Sequence, residues 1–235
     1  MNVLELFSGT QSVGKACHKI GWNAVSVDML LPADHKVDIL EFDYKQYPQD
    51  HFQVIWASPP CVAYSNLQSC WLGKKKGNGK IFTKETMIKD MIEADKLIKK
   101  TFEIIEYFKP TLWFIENPQT GKLKTRDIMN GIPFYDVSYC MYSDWGYEKR
   151  TRIWTTKKDW NNLICDKSGA CGNMIDPKHH KETSDGGYDK RRGGLHKGRL
   201  GTSKTVMDGD KMIRVNTAVL RKKYKKYQKI NSNFN

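Results

Sequence analysis

The sequence has no long apolar run. No segment reaches the roughly 18 consecutive apolar residues that a membrane-spanning helix needs. The first residues enter a strand-like run, NVLELF, without the basic flank and cleavage site of a secretory signal, so we expect no leader peptide. We therefore expect the chain to act in the cytoplasm or inside a host cell, without a membrane partner.

Paired cysteines and the glycine-rich GxGxxG motif are also missing. None of the six cysteines stands in a Cys-x-x-Cys pair, and the chain contains no internal repeat. In a chain without a leader, cysteines serve as thiols, metal ligands or nucleophiles more often than as disulfides. The length of 235 residues, of which 39% are hydrophobic, suits one domain with a small appendage.

Acidic residues are scarce relative to basic ones. The 26 Asp and Glu residues face 39 Lys and Arg residues, which gives a net charge of +13. This surplus favours a polyanionic partner, nucleic acid above all, although a lysine-rich proteome would produce the same charge. Two basic, glycine-containing stretches, 73–80 and 190–199, are typical of loops that contact phosphates, whereas 221–229 indicates a solvated helix.

Strand-like and helical patterns alternate along the first two thirds of the chain. The predicted strands are 2–7, 23–28, 52–57, 111–117, 134–142 and 151–156, and the segment 36–43 is predicted to carry a short third strand and then a turn. A short helix follows the first strand and stops at Gly21, and an amphipathic helix covers 84–108 until Pro110 ends it. The apolar positions of this long helix are Ile88, Met91, Ile92, Ile98, Phe102 and Ile105.

This alternation predicts an α/β fold with a Rossmann-like, mostly parallel sheet. We expect a catalytic domain over 1–156. From residue 157 the chain becomes rich in glycine, lysine and histidine and loses its periodicity, which indicates a small irregular insert over 157–212. The final segment, 213–235, is predicted to be a helix that packs back on the core.

Several chemically useful side chains follow the predicted strands directly. They are Phe7, Ser8, Gly9, Thr10, Asp28, Asp38, Cys61, Glu116 and Asn117. Ligands of open α/β sheets bind at the carboxyl ends of the strands. A tight glycine turn before a helix favours a carboxylate or phosphate. Asp28 suits the two hydroxyls of a ribose or caps a helix, and Asp38 accepts from an adenine amino group or caps a turn.

Cys61 follows two prolines, which cannot continue a central strand. Pro59 and Pro60 therefore present the thiol at the edge of the sheet, although a lone cysteine is usually a small buried hydrophobe. Glu116 ends a second strand whose apolar sequence is typical of a buried strand, and we expect it to face the same cleft as Cys61. The alternative is that Glu116 is a solvated acid at the end of a strand. Arg150 and Arg152 alternate, so both point to one face of a strand, where they suit a carboxylate, a phosphate or a base carbonyl.

Together these segments resemble the DNA cytosine-5 methyltransferase family. That family carries, in order, a strand with an FxG turn, an acid ending the second strand, a short Asp-containing strand, a Pro-Cys loop, a Glu-Asn dipeptide and an Arg-x-Arg strand. The corresponding segments here are LFSG, VSVD, VDIL, SPPC, ENP and KRTR, in the same order within residues 1–156. Glu148 stands near the position where the family usually carries Gln. The compact, Lys- and Asn-rich chain is similar to viral or phage-encoded members.

The resemblance implies an S-adenosylmethionine-dependent enzyme that methylates a flipped cytosine in DNA, as a monomer, as in restriction-modification or viral DNA methylation. The catalytic residues that it implies are Cys61, Glu116, Arg150 and Arg152. The cofactor positions that it implies are Phe7, Ser8, Gly9, Thr10, Asp28, Met29, Asp38, Ile39 and Pro59. Cys61 would be the nucleophile, Glu116 would serve ring nitrogen 3, and the arginines would hold the base carbonyl and the nucleophile loop.

Three other functions stay open at this point. The same chemistry on RNA is compatible with the fold, because the pocket reads a flipped base in either nucleic acid. A catalytically inactive, nucleic-acid-binding relative is disfavoured by the intact set of Cys61, Glu116 and Arg152. A small-molecule methyltransferase with a structural Cys61 is disfavoured by the positive charge and the basic loops.

A last group of residues lies in the predicted insert, in the segment CDKSGACGNMIDPKHH. Cys165, Cys171, His179 and His180 are candidate zinc ligands, and a small region with little apolar content gains much stability from a metal. The alternative is that these are unconnected polar-loop residues, since the spacing is looser than that of a Cys-x-x-Cys pair.

Overall fold

The structure is a computed structural model that describes residues 1–76, 79–142, 144, 147–176, 179–180, 182–183, 203–208 and 211–216. For 175, 176, 179, 182, 183 and the last two ranges, only the backbone is described. The chain divides into two compact units. The first comprises Met1–Val137 and Arg150–Ile164, and the second comprises Ser138–Lys149 and Cys165–Asn235.

A six-stranded sheet forms the first unit. The strands of the chain are β1 (Asn2–Leu6), β2 (Asn23–Val27), β3 (Val54–Ala57), β4 (Leu112–Pro118), β5 (Phe134–Ser138), β6 (Tyr147–Glu148), β7 (Arg150–Thr155), β8 (Met174–Asp176), β9 (His179–His180), β10 (Glu182–Thr183), β11 (Ser203–Asp208) and β12 (Lys211–Asn216). The order in the large sheet is β2-β1-β3-β4-β7-β5. Strands β1 to β4 run parallel, and β7 is antiparallel to β4. The prediction of a Rossmann-like α/β fold is confirmed.

Two helices accompany the sheet. Helix α1 covers Ser12–Lys19, and Gly21 follows it at φ +75°, the left-handed conformation expected of a glycine stop. Helix α2 covers Lys84–Phe108, begins at a Thr83 cap and buries an apolar stripe against β1, β3 and β4. Ile88 and Ile92 were predicted to belong to that stripe but are exposed. Among the helices described here, none combines the length and apolar character needed to cross a membrane.

The short strand predicted within 36–43 is wrong, whereas the turn predicted to follow it is present. Asp38 Oδ1 accepts a hydrogen bond from Leu40 N at 2.9 Å, so the chain turns where a strand would continue. The turn still places the apolar side chains of the segment, Ile39 and Phe42, in the protein interior. An alternating pattern four residues long is satisfied equally well by a packed turn, because both conformations bury every second or third side chain.

Short strand pairs make up the described part of the second unit. Strand β6 pairs with β10 in parallel, β8 pairs with β9, and β11 and β12 form an antiparallel hairpin. The prediction of a purely irregular insert therefore overlooked a hairpin, which the sequence Gly209-Asp210 between two alternating runs indicates. Of the predicted terminal helix, residues up to Asn216 belong to β12, and 217–235 lie outside the described residues, as does the basic stretch 190–199.

A buried carboxylate joins β1 to α1. Glu5 is only 3% exposed, and its two oxygens accept hydrogen bonds from Gly14 N at 2.8 Å and Val13 N at 3.2 Å. A Cβ at position 14 would stand 3.0 Å from Glu5 Oε2, so this close approach requires glycine. The sequence suggested that the N–H groups at the start of α1 would bind a ligand. Two of them, those of Val13 and Gly14, donate to Glu5 instead.

This carboxylate predicts a particular pH dependence of stability. Burial raises the pKa of Glu5 above its ordinary value of 4.5, and the N–H groups of Gly14 and Val13 offset this only in part. The folded protein then binds the proton more tightly than the unfolded chain. Its contribution to the free energy of unfolding therefore falls as the pH rises from the ordinary pKa through the raised one.

Urea unfolding of the wild type and Glu5→Gln between about pH 4 and pH 8 measures this contribution. The difference in stability, wild type minus variant, should decrease as the pH rises. Glu85→Gln provides a control of opposite sign, because the hydrogen bond with Thr83 lowers the pKa of the exposed Glu85. A wild-type advantage over Glu5→Gln that grows with pH would contradict the assignment.

Candidate active site

The strand order creates a topological switch point between β1 and β3. The chain leaves β1 toward β2 on one side and returns to β3 on the other. In open α/β sheets, ligands bind outside the carboxyl ends of the strands at such a point. The turn 7–10 follows β1 and the segment 58–61 follows β3, so two groups of predicted site residues flank this position.

Cys61 and Glu116 belong to neighbouring parallel strands. Ala57, the last residue of β3, pairs with Ile115 of β4, and Glu116 follows directly. Glu116 is buried and Cys61 is half-buried in the turn after the two prolines. The sequence analysis predicted that the chain leaves the sheet before Cys61, and the end of β3 at Ala57 confirms this exit.

Three hydrogen bonds fasten the loop that carries Cys61 to the loop that follows β4. The pairs are Asn117 Nδ2 to Pro59 O at 3.0 Å, Lys122 N to Tyr64 O at 2.7 Å and Asn66 Nδ2 to Thr120 O at 2.6 Å. The first of these is fully buried, whereas the third is exposed. Asn117, at the end of β4, therefore orients the loop that carries Cys61.

A second anchor connects the Cys61 loop to α2. Tyr64 is completely buried, and its hydroxyl donates to Asp95 Oδ1 at 2.9 Å. Arg126 donates to the same carboxylate through Nε at 3.0 Å and Nη2 at 2.6 Å. The sequence analysis missed this trio because its members are 31 residues apart and lie in no common motif.

One arginine of the predicted pair, Arg152, forms an ion pair with a residue of the sheet. Arg152 donates to both oxygens of Asp136, through Nε at 2.7 Å and Nη2 at 2.8 Å, and its guanidinium lies 3.6 Å from the centroid of the Phe134 ring. In the ladder between β4 and β7, Arg152 is opposite Asn117, so it shares the sheet face of Asn117 rather than that of Glu116. Arg150 is exposed two residues earlier. Contact of either arginine with a base stays a prediction.

Asp28 ties the switch-point turn together. Its Oδ2 accepts from Gly9 N at 2.8 Å, and its Oδ1 accepts from Leu30 N at 2.7 Å and Leu31 N at 2.8 Å. Gly9 itself has φ +57°, a conformation that favours glycine. Asp28, which is predicted to bind the ribose, therefore also accepts three backbone hydrogen bonds. Oδ2 accepts one of them and Oδ1 accepts two, so the capacity for a further donor lies mainly on Oδ2.

Four buried side-chain oxygens make no hydrogen bond within the described residues: Ser8 Oγ, Asp38 Oδ2, Asn117 Oδ1 and Thr151 Oγ1. Two of them, Ser8 Oγ and Asp38 Oδ2, belong to predicted cofactor positions, and both residues are 7% exposed. Burial raises the pKa of Asp38, and the Leu40 N–H offsets this only partly. Unpaired buried oxygens are costly, so they favour a ligand that donates to them. Of the other predicted cofactor positions, Ile39 is buried, and Thr10 Oγ1 lies 3.0 Å from Ser12 Oγ.

A separate group of reactive side chains lies in the second unit. The sulfur atoms of Cys140, Cys165 and Cys171 and a ring nitrogen of His180 all lie within 4.8 Å of one another. Three of the four predicted metal ligands thus come together, and the side chain of His179 lies outside the described residues. Cys140 was missed because the sequence predicts a continuous strand over 134–142, whereas β5 ends at Ser138.

The mostly parallel sheet and the cysteine, acid and glycine turn at its carboxyl edge define the class of Rossmann-like methyltransferases. No family model matches the chain. A curated relative from Frog virus 3 (isolate Goorha), named a probable DNA (cytosine-5)-methyltransferase, is 41% identical over 177 residues, which is 74% of this chain and 79% of the relative. The chain therefore belongs to the DNA (cytosine-5)-methyltransferase family, as the ordered motifs predicted.

Solved structures with a related sheet are more distant. The Entamoeba histolytica methyltransferase EhMeth is 19% identical with a TM-score of 0.46, and the match covers 70% of this chain and 55% of that one. The S. pombe Dnmt2 methyltransferase is 12% identical with a TM-score of 0.42, with 68% and 52% covered. The chain thus spans about half the length of these two proteins.

The buried hydrogen bond between the two loops gives a testable prediction. Asn117→Ala leaves the Pro59 carbonyl unpaired inside the protein, so the free energy of unfolding should fall by about 1–3 kcal/mol. Amide hydrogen exchange over 61–66 should become faster, because the loop loses its buried anchor. Urea unfolding and exchange measured by mass spectrometry report these two effects.

Asn66→Ala provides the matched control. It removes an exposed hydrogen bond between the same two loops, and water replaces the lost partner, so its cost should stay below about 1 kcal/mol. Equal and small losses in the two variants would show that the Asn117 hydrogen bond does not hold the loops together.

Proposed function

We propose that this chain transfers a methyl group to carbon 5 of cytosine in DNA through a covalent adduct between Cys61 and a flipped base. The observation that carries the proposal is the fastening of the Cys61 loop to the Glu116 strand at the switch point of the sheet. A small-molecule binding site has no need for a nucleophile and an acid held together in this way. The 41% identity to the viral relative supports the same chemistry.

Cys61 would supply the nucleophile. Carbon 5 of cytosine is a poor nucleophile until the Cys61 thiolate adds to carbon 6 and turns the ring into an enamine. S-adenosylmethionine, when bound, would supply the methyl group to carbon 5 and would leave as S-adenosylhomocysteine. A base removes the proton from carbon 5, and the thiolate leaves with its electron pair. The bond to Cys61 thus forms and breaks once in each turnover.

Glu116 would assist the addition. A hydrogen bond or proton from its carboxyl group to ring nitrogen 3 withdraws electrons from carbon 6 and eases attack by the thiolate. Burial at the end of β4 holds this carboxyl in place, and Asn117 holds the neighbouring loop. Arg150 or Arg152 would hold the base carbonyl, which for Arg152 uses the nitrogen that Asp136 leaves available.

The segment after Cys61 fits a nucleic-acid substrate. It exposes Leu67 and Trp71 and then enters the basic stretch at 73–80. An exposed aromatic ring stacks on bases, and lysines neutralise phosphates. The target cytosine must leave the base stack to reach Cys61, so we propose that this segment contacts DNA around the flipped base.

The residues that would hold S-adenosylmethionine also fit. Asp38 Oδ2 is a buried acceptor without a protein partner, which suits the amino group of adenine. Asp28 Oδ2 retains capacity for a ribose hydroxyl beside its hydrogen bond from Gly9 N. Ser8 Oγ is a second buried oxygen without a hydrogen bond among the predicted cofactor positions.

The nucleophile is tested by trapping. DNA with 5-fluorocytosine at target positions should form an adduct with the wild type that survives a denaturing gel, because fluorine cannot leave as a proton does. Cys61→Ser should form no adduct and transfer no methyl group, while it retains cofactor affinity, since a hydroxyl is far less nucleophilic than a thiolate. An adduct in Cys61→Ser would exclude Cys61 as the nucleophile.

The same samples test Glu116 and the substrate. Glu116→Gln should slow methyl transfer by roughly a hundredfold or more, the usual scale for loss of a general acid. Transfer from labelled S-adenosylmethionine is compared on duplex DNA, single-stranded DNA and tRNA. Labelling of tRNA alone would replace DNA by RNA as the substrate, and labelling of none would favour an inactive nucleic-acid-binding protein.

The cofactor site is tested with two product analogues. Wild type should bind S-adenosylhomocysteine about ten- to a hundredfold more tightly than S-inosylhomocysteine, since a hydrogen bond to a charged group contributes about 1.5–3 kcal/mol. Asp38→Ala should lose this discrimination, because the group that reads the adenine amino group is gone. Calorimetric titration of both ligands gives the ratio, and a ratio unchanged by the substitution would remove Asp38 from the site.

A further inference from the structure

We propose that the second unit contains a structural zinc ion held by Cys140, Cys165, Cys171 and His180. This site is independent of the methyltransfer chemistry, and metal content can be read without any activity. The proposed ligand set adds Cys140 to three of the ligands that the sequence predicts, and the side chain of the fourth, His179, lies outside the described residues.

The distances match a tetrahedral site. His180 Nε2 lies 3.4 Å from Cys165 Sγ and 3.5 Å from Cys171 Sγ, and all four ligand atoms lie within 4.8 Å of one another. With Zn–S of about 2.3 Å and Zn–N of about 2.0–2.1 Å, tetrahedral geometry puts sulfur and nitrogen about 3.6 Å apart. The two Sγ–Nε2 separations are also hydrogen-bond distances, so the convergence of all four ligand atoms on one point is the observation that favours a metal.

The groups around the ligands orient them as metal sites require. Glu148 Oε2 lies 3.3 Å from His180 Nδ1, so the carboxylate can hold the proton on Nδ1 and leave Nε2 free to bind a cation. Pairing of β6 with β10 brings Glu148 opposite Thr183, close in sequence to His180. Lys167 Nζ lies 2.9 Å from Glu148 Oε1 and fixes the other end of this carboxylate.

Backbone hydrogen bonds also hold the cysteines in place. Asn173 is buried, and its Nδ2 donates to Cys140 O at 2.8 Å and Cys171 O at 3.0 Å. Cys165 N donates to Ser138 Oγ at 3.0 Å. Three separate segments of the chain are thus joined around one point by neutral hydrogen bonds, with the sulfur atoms facing inward.

The composition of the buried interior supports the same conclusion. Among the side chains that the structure describes in this unit, the buried ones are Ser138, Cys140, Cys165, Asn173 and His180. None is a large aliphatic or aromatic residue. A small unit with so little apolar burial needs another source of stability, and a bound metal supplies it.

Zinc is the ion that this donor set favours. Three thiolates and one imidazole are soft and borderline ligands, which select zinc over magnesium or calcium. Binding converts three thiols to thiolates and releases their protons. Four protein ligands leave no open position for water, so the ion would be structural rather than catalytic.

Metal analysis of the full chain tests the site. Protein purified without chelators from zinc-supplemented cells should contain about one zinc per chain. Cys140→Ser should lose it, whereas Cys70→Ser, at an exposed cysteine of the first unit, should keep it. Wild type without metal that takes up none when reduced, or Cys140→Ser with full zinc, would overturn the proposal.

A second set of measurements protects against variants that fail to fold. Cys140→His restores a ligand and should regain zinc, which a general folding defect would not explain. Cobalt(II) added to the reduced metal-free wild type should give the intense visible bands of a tetrahedral site and a thiolate charge-transfer band. A disulfide between Cys140 and Cys165 in freshly purified protein, or cobalt bands of octahedral type, would refute the zinc site.

Discussion

The hydrogen bond from Asn117 Nδ2 to Pro59 O is the contact on which the candidate active site depends. Hydrogen bonds between parallel strands hold the backbone of each strand in position. In β3 these hydrogen bonds end at Ala57, four positions before Cys61. Beyond that point the chain needs another constraint. Proline removes backbone freedom and also removes the N–H groups that could pair with β4. A side-chain amide from β4 therefore reaches across to the one polar group that Pro59 still offers, its carbonyl.

The carboxylates at the strand ends divide into two kinds by the same reasoning. Glu5 and Asp28 each accept two or more backbone N–H bonds, so Glu5 fixes the first turn of α1 and Asp28 holds Gly9 in its left-handed conformation. Asp38 accepts one such bond and keeps a buried oxygen unpaired. A fold gains nothing from an unpaired buried oxygen, whereas a ligand donor placed against it gains a strong hydrogen bond. The proposed cofactor role of Asp38 rests on this unpaired oxygen, whereas both oxygens of Asp28 already accept backbone N–H groups.

The sequence predicted best the features that depend on residues close to one another along the chain. The limits of α2 follow from a threonine cap, apolar periodicity and Pro110, and the exit of β3 follows from two prolines. The segment at 36–43 was predicted wrongly because a short alternating pattern does not distinguish a strand from a packed turn. The Tyr64–Asp95–Arg126 trio and the approach of Cys140 to His180 were beyond reach, because they depend on which distant segments the sheet order brings together.

The two units also differ in what their interiors are made of. The sheet unit buries leucine, isoleucine and aromatic side chains between β1, β3, β4 and α2, so its stability comes from removing apolar surface from water. The described interior of the second unit consists of thiols, an imidazole and amide or hydroxyl groups. Such groups cost free energy when buried unless each has a partner. Asn173 and Ser138 meet that requirement with hydrogen bonds, and the thiols of Cys165 and Cys171 each lie within hydrogen-bond distance of His180 Nε2. The proposed zinc ion would bind the three sulfurs and the ring nitrogen at once, so the proposal rests on the chemistry of these buried residues more than on their spacing in the sequence.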